Sequence, residues 1–179
     1  LPATIGTAGQ VLKNSSTPGT LEFGGGGKIL QVVTDKATTG TSTSSESFVD
    51  TELSAAIQPA STSNHVLVMV SGQVKWQGSN AKKGGGIQVL RDSTAIQTAA
   101  SDSSGRLHTY FFENNTVEAV WHWHWYHMSV LDSPSSTSSL TYKVQIAVVE
   151  ADNSGVFGFG TAGSGSGSTS QLTLMEIAG

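Results

Sequence analysis

Apolar residues in this chain recur at every second position. The clearest run is Leu140-Thr141-Tyr142-Lys143-Val144-Gln145-Ile146-Ala147-Val148, where every even position is apolar and Thr141, Lys143 and Gln145 are polar. Successive side chains of an extended strand point to opposite faces, so the run predicts a half-buried strand. Val66 to Val70 are apolar without interruption, the pattern of a central strand covered on both sides. That run passes into alternation at Gln73-Val74-Lys75-Trp76, with Trp76 on the inward set. The same pattern predicts strands at 28–34, 46–58, 86–91, 94–98, 107–113, 117–131, 155–160 and 171–177. Turn-forming residues separate them: Pro59 with Ser61, Gly84 to Gly86, Ser103 to Gly105, Asn114-Asn115, Asp132-Ser133-Pro134, and Asp152 to Gly155. The carboxylate of Asp132 is expected to cap its own turn. No window has the 3.6-residue period of an amphipathic helix. About ten short strands and no helix predict an all-β fold, an antiparallel β-sandwich or jelly roll.

Residues 1–27 differ from the rest. Isolated aliphatics lie among Gly, Pro, Ser and Thr, and Gly24 to Gly27 end the stretch. This predicts an extended N-terminal leader with a turn and a Gly-rich hinge, followed by a β-sandwich domain over 28–179.

Composition narrows the function classes. Of 179 residues only 12% are charged, yet 37% are hydrophobic and occur in patterned runs, which argues against disorder. The net charge is −4 and the largest basic cluster is the pair Lys82-Lys83, so nucleic acid and membrane insertion are not expected. There is no cysteine, which removes disulfides, thiolate metal sites and a cysteine nucleophile. The chain begins at Leu1 without a basic or apolar signal region and reads as a piece of a longer polypeptide.

The most unusual stretch is Trp121-His122-Trp123-His124-Trp125-Tyr126-His127. In a strand, Trp121, Trp123 and Trp125 share one face, and His122, His124 and Tyr126 share the other. Val120, Met128 and Val130 belong to the even set. Without a bulge, therefore, the even side faces the core and the tryptophans face out. Three outward indoles form a patch that monomers seldom tolerate. Burial in a subunit interface is the first expectation. A bulge that turns the indoles into the core is the second, and a stacking platform for a receptor's sugar rings is the third. His122 and His124 place two imidazoles about 6.5–7 Å apart on one side. Two such ligands cannot complete a metal shell alone, and a hydrogen-bonded pair is the simpler expectation.

Several stretches occur together in order: Leu1-Pro2 through Gly9-Gln10-Val11-Leu12; Lys28-Ile29-Leu30-Gln31-Val32-Val33; the Ser/Thr tract 38–47 with Phe48-Val49-Asp50-Thr51; and Leu53-Ser54 through Ile57-Gln58-Pro59. Leu131-Asp132-Ser133-Pro134 with Leu140 to Val144, and Leu172 to Ile177, complete the series. In this the chain resembles bacteriophage tail-fibre and receptor-binding proteins, those of marine phages infecting cyanobacteria in particular. It departs from their pattern over 117–126, where Trp and His replace small polar and aliphatic residues. The resemblance implies a homotrimeric β-sandwich at the fibre tip, on the virion's extracellular face. The rest of the fibre would join through the leader, and the partner would be a host cell-surface glycan or outer-membrane receptor. The spacing of His122 and His124 is also similar to the repeated pairs with which long fibres of T-even phages hold iron on a threefold axis. Here it occurs once, and no cofactor is expected.

Other motifs carry less. Gly158-Phe159-Gly160-Thr161-Ala162-Gly163 has dinucleotide-loop spacing, but a Gly/Ser stretch follows it where a helix would have to begin. Carboxylates are sparse, no nucleophile-elbow sequence occurs, and no enzymatic activity is expected. The leading function is host attachment, with contacts sought in loops 77–86, 99–106 and 113–117. The alternatives are a purely structural trimerising, capping or capsid-decorating domain and, further off, a polysaccharide depolymerase.

Overall fold

Period-two runs become strands wherever the structure describes them. The computed structural model describes residues 10–15, 17–25, 29–78, 85–97, 120–148, 156–160 and 168–179. These form β1 (Gln10–Asn14), β2 (Leu21–Gly25), β3 (Ile29–Ala37), β4 (Thr41–Thr43), β5 (Val49–Ile57) and β6 (His65–Gly78). Then follow β7 (Gly85–Arg91), β8 (Thr94–Gln97), β9 (Val120–Asp132), β10 (Leu140–Val148), β11 (Val156–Phe159) and β12 (Ser170–Ile177). The described residues contain no helix. The strand expected at 107–113 and the turns at 103–105, 114–115 and 152–155 lie outside them.

The fold is an antiparallel all-β sandwich. One sheet has the order β5-β10-β7-β8. The other runs β3-β12-β6, with β9 on the far side of β6 and β11 and β4 continuing beside its C-terminal half. The leader carries a separate hairpin of β1 and β2, turned at Thr17-Pro18-Gly19 with Gly19 at φ 78°, a backbone region glycine enters freely. Between the sheets lie Leu53, Ile57, Val66, Val68, Val70, Val74 and Trp76, with Ile87, Val89, Tyr142, Val144, Ile146, Phe157, Phe159, Leu172 and Leu174. The sheets approach closely at Gly85, where a Cβ would stand 2.1 Å from Cγ of Phe157, so only glycine fits beneath that ring.

Two expectations are corrected. β6 is central in its hydrogen bonding but is not covered on both faces. Val66, Val68 and Val70 are buried, while Leu67 is half-buried and Met69 is 41% exposed. Apolar residues on both sides of a strand need not mean a second packed layer. Asp132, in turn, does not cap its own turn. Its carboxylate faces inward at the end of β9 and accepts both contacts of Arg91 Nη1, each 2.7 Å, and the Tyr142 hydroxyl at 2.7 Å. It thereby ties β9 of one sheet to β7 and β10 of the other. Burial first, and then the neighbouring carboxylate, push the Tyr142 hydroxyl far above the ordinary phenol range.

Glu176 is also inward, in phase with Leu172 and Leu174, and is 1% exposed. It accepts hydrogen bonds from Asn64 Nδ2 (2.6 Å), the Ala60 amide (2.7 Å) and Gln31 Nε2 (2.6 Å). Burial alone would raise its pKa; the three donors outweigh that and hold it below 4.5. A carboxyl lowered in the fold stabilises above its unfolded value and loses that contribution as pH falls through the folded value. Stability should therefore decline as pH drops below about 4.5. Denaturation midpoints at a series of acid pH values check this, and the Glu176→Gln chain should show a flatter acid limb.

Candidate functional site

The Trp/His stretch lies in β9, which pairs with β6 residue for residue from Val66↔Asp132 to Gly78↔Val120 with no bulge. Unbroken pairing keeps one phase along the strand. Tyr126 is buried against Phe159, the ring centroids 6.4 Å apart and the planes at 83°, and Met128 and Val130 pack on the core. Burial pushes the Tyr126 hydroxyl up to about 12. The odd positions lie on the other face: Trp125 is 66% exposed, Leu131 is 56% exposed, and His127 and Ser129 are exposed. Trp125 is thus not a core residue.

Trp123 is half-buried and stands opposite Lys75, whose ammonium is held below the usual lysine range by burial. Trp121 and His122 pair with Gln77 and Trp76 through the backbone; their side chains lie outside the described residues. His124 is exposed on the even set, opposite Val74. Among the described residues, no three His, Asp or Glu side chains converge as metal ligands.

Register shows what sequence reasoning missed, an apolar row across four strands. Val32 of β3 stands beside Met175 of β12, Met175 beside Leu67 of β6, and Leu67 beside Leu131 of β9. Val32 is 52% exposed. The next row is Thr34, Thr173, Met69 and Ser129, and the next Lys36, Gln171, Ser71 and His127. A groove of about 350 Å³ runs over these inner positions, with Met69, Ser71, His127, Ser129, Gln171 and Thr173 in its lining. The signal was available in part: Leu67 and Met69 are apolar in the outward phase of β6. Which strands would lie beside them was not readable from one segment.

Of the loops expected to make contacts, 99–106 and 113–117 lie outside the described residues, as do 79–84 of the first; its remaining positions belong to β6 and β7. The Gly158 motif begins in β11, and Gly160 at φ 69° donates its amide to Gln73 O at 2.8 Å, so this segment ends a strand and turns. Residues 161–163 lie outside the described set.

No protein-family model and no curated protein matches the chain. Its similar solved structures include viral capsid proteins. One is the structure of infectious bursal disease virus Gx strain, at 10% identity and TM-score 0.39, covering 94% of this chain and 47% of that one. Another is the VP2 subviral particle of the same virus, at 10% identity and TM-score 0.37, covering 99% of this chain and 46% of that one. The chain spans under half the length of either, and neither family nor function follows from likeness at this level.

Proposed function

We propose that this chain is a non-enzymatic virion module, the tip domain of a tail fibre, which attaches the particle to the host surface. The observation that carries the reading is Trp125, held outward on β9 by its bulge-free pairing with β6, across a polar groove from the open apolar row at Leu131. A patch of this size is often functional and marks a contact surface. The ordered resemblance to fibre proteins supplies the setting: a homotrimer, joined to its fibre through the leader, whose weak contacts act together by multivalency. The polar groups around the groove are hydroxyls, an amide and an imidazole, a set suited to holding a ligand rather than cleaving one.

The test is direct binding. Fluorescently labelled chain should coat cyanobacterial cells susceptible to phages of the kind it resembles. Trp125→Ser should reduce that coating about tenfold or more while moving stability by no more than about 0.5 kcal/mol, as for an exposed position. Chain that coats no susceptible cell removes host attachment. A second reading, a structural module that caps the fibre or decorates the particle, is favoured by the row Val32–Met175–Leu67–Leu131, which a neighbouring copy could cover. In that case Leu131→Ser should lower the assembly mass seen by native mass spectrometry.

A further inference from the structure

We propose that the groove beside Trp125 binds a neutral, polyhydroxylated ring, one saccharide residue or a linked pair, with the indole as its stacking surface. The inference rests on the attachment reading above and adds the ligand class and its place, which is a sheet face rather than the loops.

Three observations converge. First, the groove lining offers the hydroxyls of Ser71, Ser129 and Thr173, the amide of Gln171, the imidazole of His127 and the thioether of Met69. Ligand hydroxyls would find donors and acceptors there. The lining itself holds no ammonium, guanidinium or carboxylate, and Lys36, beside Gln171 in register, stands outside it. Gln171 Nε2 donates to Thr173 Oγ1 at 2.9 Å, which fixes the amide in place.

Second, the polar groove lies between apolar borders. Trp125 is the next outward position after His127 on β9, about 6.5–7 Å along the strand. Leu131 and Leu67 form the opposite border. Sugar rings are amphipathic in this sense, with C–H faces that stack on an indole and a rim of hydroxyls that hydrogen-bond; the indole N–H adds a donor.

Third, the size suits a small ligand better than a second copy. With strands about 4.8 Å apart and about 3.4 Å per residue, the patch from Leu131 to Trp125 across β3, β12, β6 and β9 covers roughly 300 Å² in plan. A stable protein interface takes about 800 Å² per partner. The groove volume of about 350 Å³ lies at the small end of the range for ligand sites.

The experiment is a titration of the full chain, followed by the indole N–H signals in two-dimensional NMR. The probes are methyl glucoside, methyl galactoside, N-acetylglucosamine and their disaccharides, with glucuronate and glucosamine as charged counterparts. Saturable shifts of the Trp125 indole, stronger for the neutral rings than for either charged one, are expected. Trp125→Ser should weaken binding about tenfold or more, whereas Trp125→Phe, which keeps an aromatic face, should retain most of it; Gln171→Ala should weaken it without loss of fold. The proposal is overturned if none of the neutral probes binds, if binding survives Trp125→Ser, or if Trp125→Ser lowers the assembly mass, since the face would then belong to another copy. The two readings separate cleanly. Chain that coats cells but binds no glycoside removes only the groove, and chain that binds glycosides but coats no cells removes only host attachment.

Discussion

Trp76→Ala should lower the stability of the chain by about 3–5 kcal/mol, a large-to-small change in a packed interior. Trp76 is 1% exposed, and in register it lies between Phe157 on β11 and His122 on β9. Alanine would leave a cavity in the core between the sheets. The indole has one weakness: its Nε1 is buried with no hydrogen-bond partner among the described residues. An unsatisfied buried donor costs about 1–3 kcal/mol. Trp76→Phe gives up some volume but removes that donor, so it should cost far less than alanine. Urea denaturation checks both, through a lowered midpoint at unchanged slope. Equal losses for Phe and Ala would mean that the N–H has a partner and that ring size is not what matters.

Asp132→Ala should be comparably damaging, about 3–5 kcal/mol, because it strands a charge beside a buried hydroxyl. Arg91 would lose both of its 2.7 Å contacts and Tyr142 its acceptor. Asp132→Asn keeps an oxygen for Tyr142 and should cost less. The informative variant is the double change Arg91→Met with Asp132→Leu. Replacing a largely buried ion pair with apolar side chains is often neutral or better, so the double variant should be more stable than Asp132→Ala. Calorimetry on the three proteins measures the coupling. A double variant as unstable as Asp132→Ala would mean that packing, not the stranded charge, sets the cost.

The parts of this fold that announced themselves did so through side-chain periodicity. β10 was legible because its inward residues alternate with polar ones, β6 and β12 because they are dense in valine and leucine, and the phase of β9 was legible from Tyr126, Met128 and Val130. β4 was not, because Thr41 to Thr43 lie in a Ser/Thr tract and join the sheet through backbone hydrogen bonds, which leave no apolar signature. The hairpin of β1 and β2 was hidden for a similar reason, with Val11, Leu12 and Leu21 all exposed. Asp132 could not be matched with Arg91 from sequence, since 41 positions separate them and only the stacking of the sheets brings them together. Glu176 did carry a signal, a carboxylate in phase with buried leucines. Beyond Met69 in the outward phase of β6, the groove carried none, because it is composed of isolated residues from three strands that become neighbours only in register.

The unbroken pairing of β9 with β6 also governs how this surface can diversify. The even positions Tyr126, Met128 and Val130 of β9 are held by the core, so most changes there lower stability. Odd positions meet solvent, so Trp125, His127, Ser129 and Leu131 can be exchanged singly at little cost to the fold. Loss of a single codon within the strand is a different matter. It would shift the residues beyond it by one, turn the indole of Trp125 towards the interior and place Tyr126 in water, unless a bulge absorbed the slip. Variants with new surface chemistry should therefore arise by substitution at alternate codons, while insertions and deletions are confined to the turns.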